Sequence, residues 1–145
     1  MKQFKFITVL VIGLVLSSCN GQNKSKNNTA GQSISKIEVI DFHATHRCMT
    51  CNAIEANTKY TLDTYFPKEI KAKKITFQVI NVDEKKNEKI AEKFEASGTS
   101  LFLNVIKNGK ETQINLTDFA FMNGNDQAVF SKALKAKIDT ELKTL

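Results

Sequence analysis

Tryptophan is absent from this 145-residue chain, proline and arginine occur once each (Pro67, Arg47), and histidine occurs twice. With one arginine, scattered lysines and no basic stripe interleaved with aromatics, the formal charge of +6 describes a solvated surface and excludes a nucleic-acid-binding face. Cysteine is scarce as well, with three residues and only one C-x-x-C pair. A structural zinc site that takes four ligands from two such pairs is therefore missing its second half. The longest apolar run, residues 6–16, falls well short of the roughly 20 residues needed to span a bilayer. Internal repeats are also absent.

That short run nevertheless has a purpose. Lys2 and Lys5 precede it and Leu16-Ser17-Ser18-Cys19 follows it, the layout of a secretory signal over residues 1–18. The ending resembles the lipobox of bacterial lipoproteins, in which the cysteine is acylated and becomes the first mature residue. The expectation is lipidation at Cys19 and attachment to a membrane of the cell envelope, facing the periplasm or the cell surface. Removing residues 1–18 takes the formal charge from +6 to +4 and leaves Cys48 and Cys51 as a pair in a compartment that permits disulfides. Residues 19–35 carry the lipid site and an almost wholly polar stretch that cannot bury enough to order itself, and they read as a flexible tether. Residues 36–145 suffice for one domain with a modest core.

Within that domain, Cys48-Met49-Thr50-Cys51 lies between a strand-like run (36–43) and a helical pattern (52–66) that Pro67 closes. A helix N-terminus offers unpaired N–H groups and partial positive charge, which favour a thiolate at the first cysteine. The second, about one turn on, is spaced to attack a mixed disulfide on the first. Helical spacing puts Ile54, Thr58, Leu62 and Phe66 on one stripe, with Tyr65 beside it. Further expected elements are a strand over 75–82, a helix over 87–97 capped by Gly98, and strands over 101–106 and 111–116 joined at Asn108-Gly109. A closing helix over 126–143 carries Phe130, Leu134, Ile138 and Leu142. The order β-α-β-α-β-β-α predicts an α/β fold, a mixed four-stranded sheet flanked by helices.

This order, with C-x-x-C after the first strand, resembles the core of the thioredoxin fold. Asp41-Phe42-His43-Ala44-Thr45-His46-Arg47-Cys48 resembles the thioredoxin lead-in Asp-Phe-Trp-Ala-Glu-Trp-Cys with one residue more. Asn81-Val82-Asp83-Glu84 resembles the exit of the second core strand, and Lys107-Asn108-Gly109-Lys110 the terminal hairpin. Both lead-in tryptophans are histidines here, Gly-Pro between the cysteines is Met49-Thr50, and the cis-proline facing the dithiol is replaced by Gly98-Thr99-Ser100-Leu101. The resemblance implies a minimal thioredoxin-like fold over 36–145 and a thiol–disulfide oxidoreductase that needs no cofactor. In that reading Cys48 is the nucleophile, Cys51 the resolving thiol, and Thr99 and Ser100 face them through a trans peptide. Its partners are a protein thiol or disulfide substrate and a redox partner. Asp41 matches the acid that moves a proton at the second cysteine; the competing reading is a strand-end aspartate in water.

Three other features carry alternatives. Arg47 and His46 are expected to favour the Cys48 thiolate, and His46 could pass protons. His43, His46, Cys48 and Cys51 form a His-x-x-His-x-Cys-x-x-Cys cluster that could instead bind zinc or copper. A third possibility is a non-catalytic adaptor with an inert disulfide. Phe119, Phe121 and Met122, expected in a connection after the fourth strand, either pack under it or dock a protein substrate.

Overall fold

A computed structural model describes residues 35–145; the signal segment, Cys19 and nearly all of the tether expected from the sequence lie outside the described residues. Strand β1 (Lys36–His43) leads through a loop into helix α1 (Met49–Tyr65), and a short helix α2 (Pro67–Lys71) follows. Strand β2 (Ile75–Asn81), a 3-10 turn (Lys85–Asn87) and helix α3 (Glu88–Lys93) come next. Strands β3 (Ser100–Lys107) and β4 (Lys110–Asn115) form a hairpin, and helices α4 (Thr117–Asn123) and α5 (Gln127–Leu142) close the chain. The sheet order is β2-β1-β3-β4, with β1 parallel to β2 and antiparallel to β3, and β3 antiparallel to β4. This is the mixed four-stranded α/β sheet that the sequence predicts.

Strand β1 is central, so both of its faces must be apolar. Ile37 and Val39 point to the layer of α1, α4 and α5, where they meet Ile54, Leu62, Ala120, Phe130, Leu134 and Ile138. Ile40 and Phe42 point the other way, against Phe94 and Phe102, whose three rings pack 5.2–5.9 Å apart. Each fully buried aliphatic or aromatic side chain contributes about 1.5–3 kcal/mol, so the double-sided strand anchors the sheet. Its last residues, and the loop that follows, are thereby fixed in place.

Several local expectations are corrected. Helix α1 begins a turn earlier than residue 52, because Cys48 caps it. Met49 and Thr50 stay outside the core, so apolar periodicity did not register the first turn. Tyr65 is exposed, with the Lys135 ammonium 5.9 Å from its ring centroid. Pro67 both ends α1 and opens α2, where its missing N–H costs nothing. The segment around Phe119 is helical. Phe119 packs on Phe130 at 5.1 Å, while Phe121 and Met122 face solvent.

Helix α3 ends at Lys93, and Gly98 does not cap it. Glu95 adopts φ 53°, Ala96 N–H donates to Ala91 O at 2.9 Å and Glu95 N–H to Glu92 O at 3.0 Å. That is a Schellman closure built on a non-glycine residue. Lys73 (φ 56°) repeats it after α2, with Lys74 N–H on Glu69 O and Lys73 N–H on Ile70 O. A left-handed residue with a Cβ carries a steric cost of about 1–2 kcal/mol, partly offset in glycine by its extra unfolded-state entropy. Lys73→Gly and Glu95→Gly are each expected to raise the urea midpoint by about 0.5–1 kcal/mol equivalent, with an unchanged m value. A loss of stability in both variants would contradict this account of the two turns. At the β3–β4 hairpin, Asn108 (φ 52°) and Gly109 (φ 79°) form the expected two-residue turn with both residues left-handed.

Among the described residues, no helix is long and apolar enough to cross a membrane.

Candidate active site

Cys48 and Cys51 are joined as a disulfide at the junction of β1 and α1, with Cα atoms 5.0 Å apart. Cys48 is the N-cap of α1: its backbone is extended (φ −75°, ψ 167°) and the Cys51 N–H donates to its Sγ at 3.0 Å. The first turn of α1 carries no acidic residue, so nothing there offsets the positive end of a 17-residue helix. The same N–H and the same field would stabilise a thiolate on Cys48 once the bond is reduced. The two sulfurs also differ in access. Cys48 is exposed, and Cys51 is 8% exposed. A reagent approaching from solvent therefore meets Cys48 first.

Asp41 is wholly buried, and neither carboxylate oxygen has a hydrogen-bond partner. It occupies the β1 face that carries Ile37 and Val39, the face that α1 covers. Burial raises its carboxyl to about 7, opposed by the Arg47 guanidinium and assisted by the Glu55 carboxylate. The solvated strand-end reading of Asp41 is thereby removed. The carboxyl so raised lies beside the turn that holds Cys51, since Arg47 Nη2 reaches both. That nitrogen donates to the Cys51 carbonyl at 3.2 Å and lies 3.7 Å from Asp41 Oδ2.

Arg47 is turned toward Asp41, Cys51 O and Glu55, with Nη1 on Glu55 Oε2. Reading the sequence alone placed it beside Cys48. Glu55 was missed altogether, although its place one helical turn after Cys51 was a usable signal. The loop before Cys48 is latched to the exit of β2: Thr45 N–H donates to Asp83 Oδ2 at 2.7 Å and Asn81 Nδ2 to Thr45 Oγ1 at 3.1 Å. The Thr45 backbone and hydroxyl hold the Asp83 carboxyl below its ordinary range, with His46 and His43 adding to the effect. On the other flank, Gly124 sits under the first turns of α1. A Cβ there would lie 2.7 Å from Ala120 O and 3.1 Å from the Thr50 methyl, and Asn57 Nδ2 donates to Gly124 O at 2.7 Å.

Ser100 pairs with Phe42 across β1 and β3, so Thr99 and Ser100 lie at the end of the sheet from which the Cys48 loop departs. Ser100 Oγ donates to Gly98 O at 3.3 Å, and no cis peptide occurs among the described residues. His46 is exposed, and His43 directs Nδ1 to the Ala44 carbonyl at 2.8 Å. Among the described residues, no three His, Cys, Asp or Glu side chains converge as a metal site. The four-ligand grouping of His43, His46, Cys48 and Cys51 is thus not assembled here. A surface cleft of about 410 Å³ beside α3, lined by Asp83, Glu84, Glu88, Glu92 and Glu95 among others, includes neither cysteine. Met49, which follows Cys48 in the chain, is 84% exposed, and Thr50 Oγ1 reaches Asn125 Oδ1 at 3.4 Å.

Among solved structures, the chain is similar to the thioredoxin of Fasciola hepatica, with 23% identity and a TM-score of 0.41 over 63% of this chain and 79% of that one. It is also similar to a malarial protein, with 20% identity and a TM-score of 0.39 over 61% of this chain and 94% of that one. No protein-family model and no curated protein sequence matches it.

Proposed function

We propose that this protein is a thiol–disulfide oxidoreductase that exchanges its Cys48–Cys51 pair with disulfides or dithiols of other proteins. The observation that carries the reading is the position of the pair: a disulfide at a strand-to-helix junction, one sulfur exposed at the helix N-cap and the other buried. A purely structural bridge gains nothing from an exposed, helix-activated sulfur, whereas exchange requires one. The buried Asp41 beside the second cysteine's turn adds a proton acceptor of suitable strength.

In the reducing direction the Cys48 thiolate attacks a substrate disulfide, forming a mixed disulfide, and Cys51 then displaces the substrate thiol. The oxidising direction runs the same steps in reverse. The dithiol is itself the two-electron carrier, so a protein substrate and a second redox partner complete the cycle. The proposal extends to location: acylation of Cys19 after removal of 1–18 would hold the domain near an envelope membrane, outside the cytoplasm. About fifteen polar residues of tether give an r.m.s. reach of roughly 20 Å.

Two assays test the reading. The reduced protein should reduce insulin in the presence of a thiol reductant, and one equivalent of iodoacetamide near neutral pH should label Cys48 alone. Equal labelling of both cysteines at the rate of a free thiol, with Cys48→Ser leaving insulin reduction unchanged, removes the oxidoreductase reading. An alkyne fatty acid should label the protein in cells and fail to label Cys19→Ala; label retained in that variant rejects the lipid anchor.

A further inference from the structure

Three groups meet on the guanidinium of the chain's only arginine. Nη2 donates to the Cys51 carbonyl at 3.2 Å and lies 3.7 Å from Asp41 Oδ2, and Nη1 meets Glu55 Oε2. The Arg47 side chain is 19% exposed and that of Glu55 31%, so the cluster is largely shielded from solvent. Across the sheet, Asp41 is in register with Val79 on β2 and Leu101 on β3, both uncharged. The charges that face the buried carboxyl are therefore Arg47 from the loop and Glu55 from α1.

The Arg47–Asp41 separation is the informative distance. At 3.7 Å the contact is an ion pair without a hydrogen bond. A bidentate, hydrogen-bonded guanidinium would hold Asp41 permanently ionised and remove it from proton transfer. A cation at this distance, anchored elsewhere by Glu55 and by the Cys51 carbonyl, favours the carboxylate while leaving both oxygens open to a proton. Because one anchor is the Cys51 carbonyl, the cation is fixed to the turn that carries the resolving sulfur.

We infer that Arg47 is a positioning residue for disulfide exchange: held by Glu55 and the Cys51 carbonyl, it keeps the buried Asp41 ready to accept the Cys51 proton and so sets the pH range over which Cys51 resolves a mixed disulfide. The inference rests on the exchange reading above. In the step concerned, Cys51 S–H gives its proton to the Asp41 carboxylate. The sulfur electron pair forms the bond to Cys48 Sγ, and the bond between Cys48 and the substrate sulfur breaks. The departing sulfur keeps that electron pair and leaves as a thiolate. The cysteine pair is oxidised by two electrons and the substrate disulfide is reduced by two. Lysine cannot replace this arrangement fully, because a point charge on a flexible stem does not hold three acceptors in fixed directions.

The test uses the full chain with Cys19→Ser, so that Cys48 and Cys51 are its two thiols, reduced and then mixed with one equivalent of 5,5′-dithiobis(2-nitrobenzoate). Release of the first thionitrobenzoate reports attack by Cys48, and release of the second reports resolution by Cys51. The second rate is followed against pH in the wild type, Arg47→Met, Arg47→Lys and Glu55→Gln, and the Asp41 carboxyl is titrated by 13C NMR in the same samples. Arg47→Met should move the midpoint of the second release and that of the Asp41 carbon upward by about one pH unit, slowing resolution near pH 7 about fivefold. Glu55→Gln should move both downward, and Arg47→Lys should fall between wild type and Arg47→Met. A uniform fall in rate with both midpoints unmoved overturns the inference and leaves Arg47 a structural residue. Wild-type protein that never releases the second thionitrobenzoate overturns the exchange reading instead, and the Asp41 titration then still decides whether Arg47 governs that carboxyl.

Discussion

Cys51→Ala is expected to turn the protein into a trap. Cys48 would still attack a substrate disulfide, but the mixed disulfide would persist, because its resolution would need a second molecule. Replacing an attack within one helical turn by a bimolecular one removes a large effective concentration, so multiple-turnover exchange should fall by about 10³-fold or more. Cys48→Ala should abolish exchange and form no adduct, because Cys51 is only 8% exposed. Non-reducing electrophoresis of each variant after incubation with oxidised insulin, followed by mass spectrometry of the adduct, reads both outcomes. An adduct through Cys51 in Cys48→Ala, at a rate matching that of Cys48 in Cys51→Ala, would contradict the assignment of roles.

The second large effect is expected at Asp41, where stability and activity should move in opposite directions. Burial raises this carboxyl from an ordinary 3.8 to about 7 in the folded protein. Below about pH 3.8 the folded and unfolded states are both protonated and the group costs nothing. Between there and about 7 the folded state binds the extra proton, so its contribution to stability falls as pH rises, by up to about 1.4 kcal/mol per unit. Above 7 the full penalty applies, roughly 4 kcal/mol on this accounting. An asparagine amide in the same place is neutral but poorly hydrogen-bonded, which costs about 1–3 kcal/mol. Asp41→Asn should therefore be more stable than wild type by about 1–3 kcal/mol at pH 8 and lose that advantage toward pH 4. Glu38 and Asp83 act in the opposite sense. Glu38 is held low by Lys36 and Asn104 against the effect of burial, and Asp83 by Thr45. The difference between variant and wild-type curves isolates Asp41. Exchange near neutrality should meanwhile slow about 10²-fold, the usual scale for losing a proton acceptor. Urea midpoints across pH and insulin-reduction rates check the pair of effects; a variant less stable than wild type at pH 8 removes Asp41 as a strained proton acceptor.

Much of the fold was legible because its signals are local. Asn108-Gly109 specified a turn with two left-handed residues, the period-four spacing of Phe130, Leu134 and Ile138 marked the buried stripe of α5, and apolar residues on both faces of 36–43 marked a central strand. The features that escaped were those set by tertiary contact. The first turn of α1 is held by a cap, since its side chains, Cys51 aside, are outside the core. Helix α4 is short and shows solvent two of its three large side chains, so it carries little periodic signal. The closure of α3 through a left-handed Glu95, in place of a cap at Gly98, is a backbone solution that apolar pattern does not reveal. At the site, the sulfur pair was legible from its place between a strand-like run and a helical pattern, and Asp41 only through the resemblance of residues 41–48 to the thioredoxin lead-in. The direction taken by the Arg47 side chain was not readable, nor was the Thr45–Asp83 latch across 38 residues. Those depend on how the loop folds back over the sheet.

The midpoint potential of the Cys48–Cys51 couple, measured by equilibration of the full chain in glutathione buffers, tests the exchange reading most directly. An exposed, helix-activated sulfur facing a buried partner predicts a reversible couple within the range of working dithiols, about −270 to −120 mV. A potential below about −300 mV, with the bond resisting the glutathione pool, would mean a bridge that holds the chain together and moves no electrons.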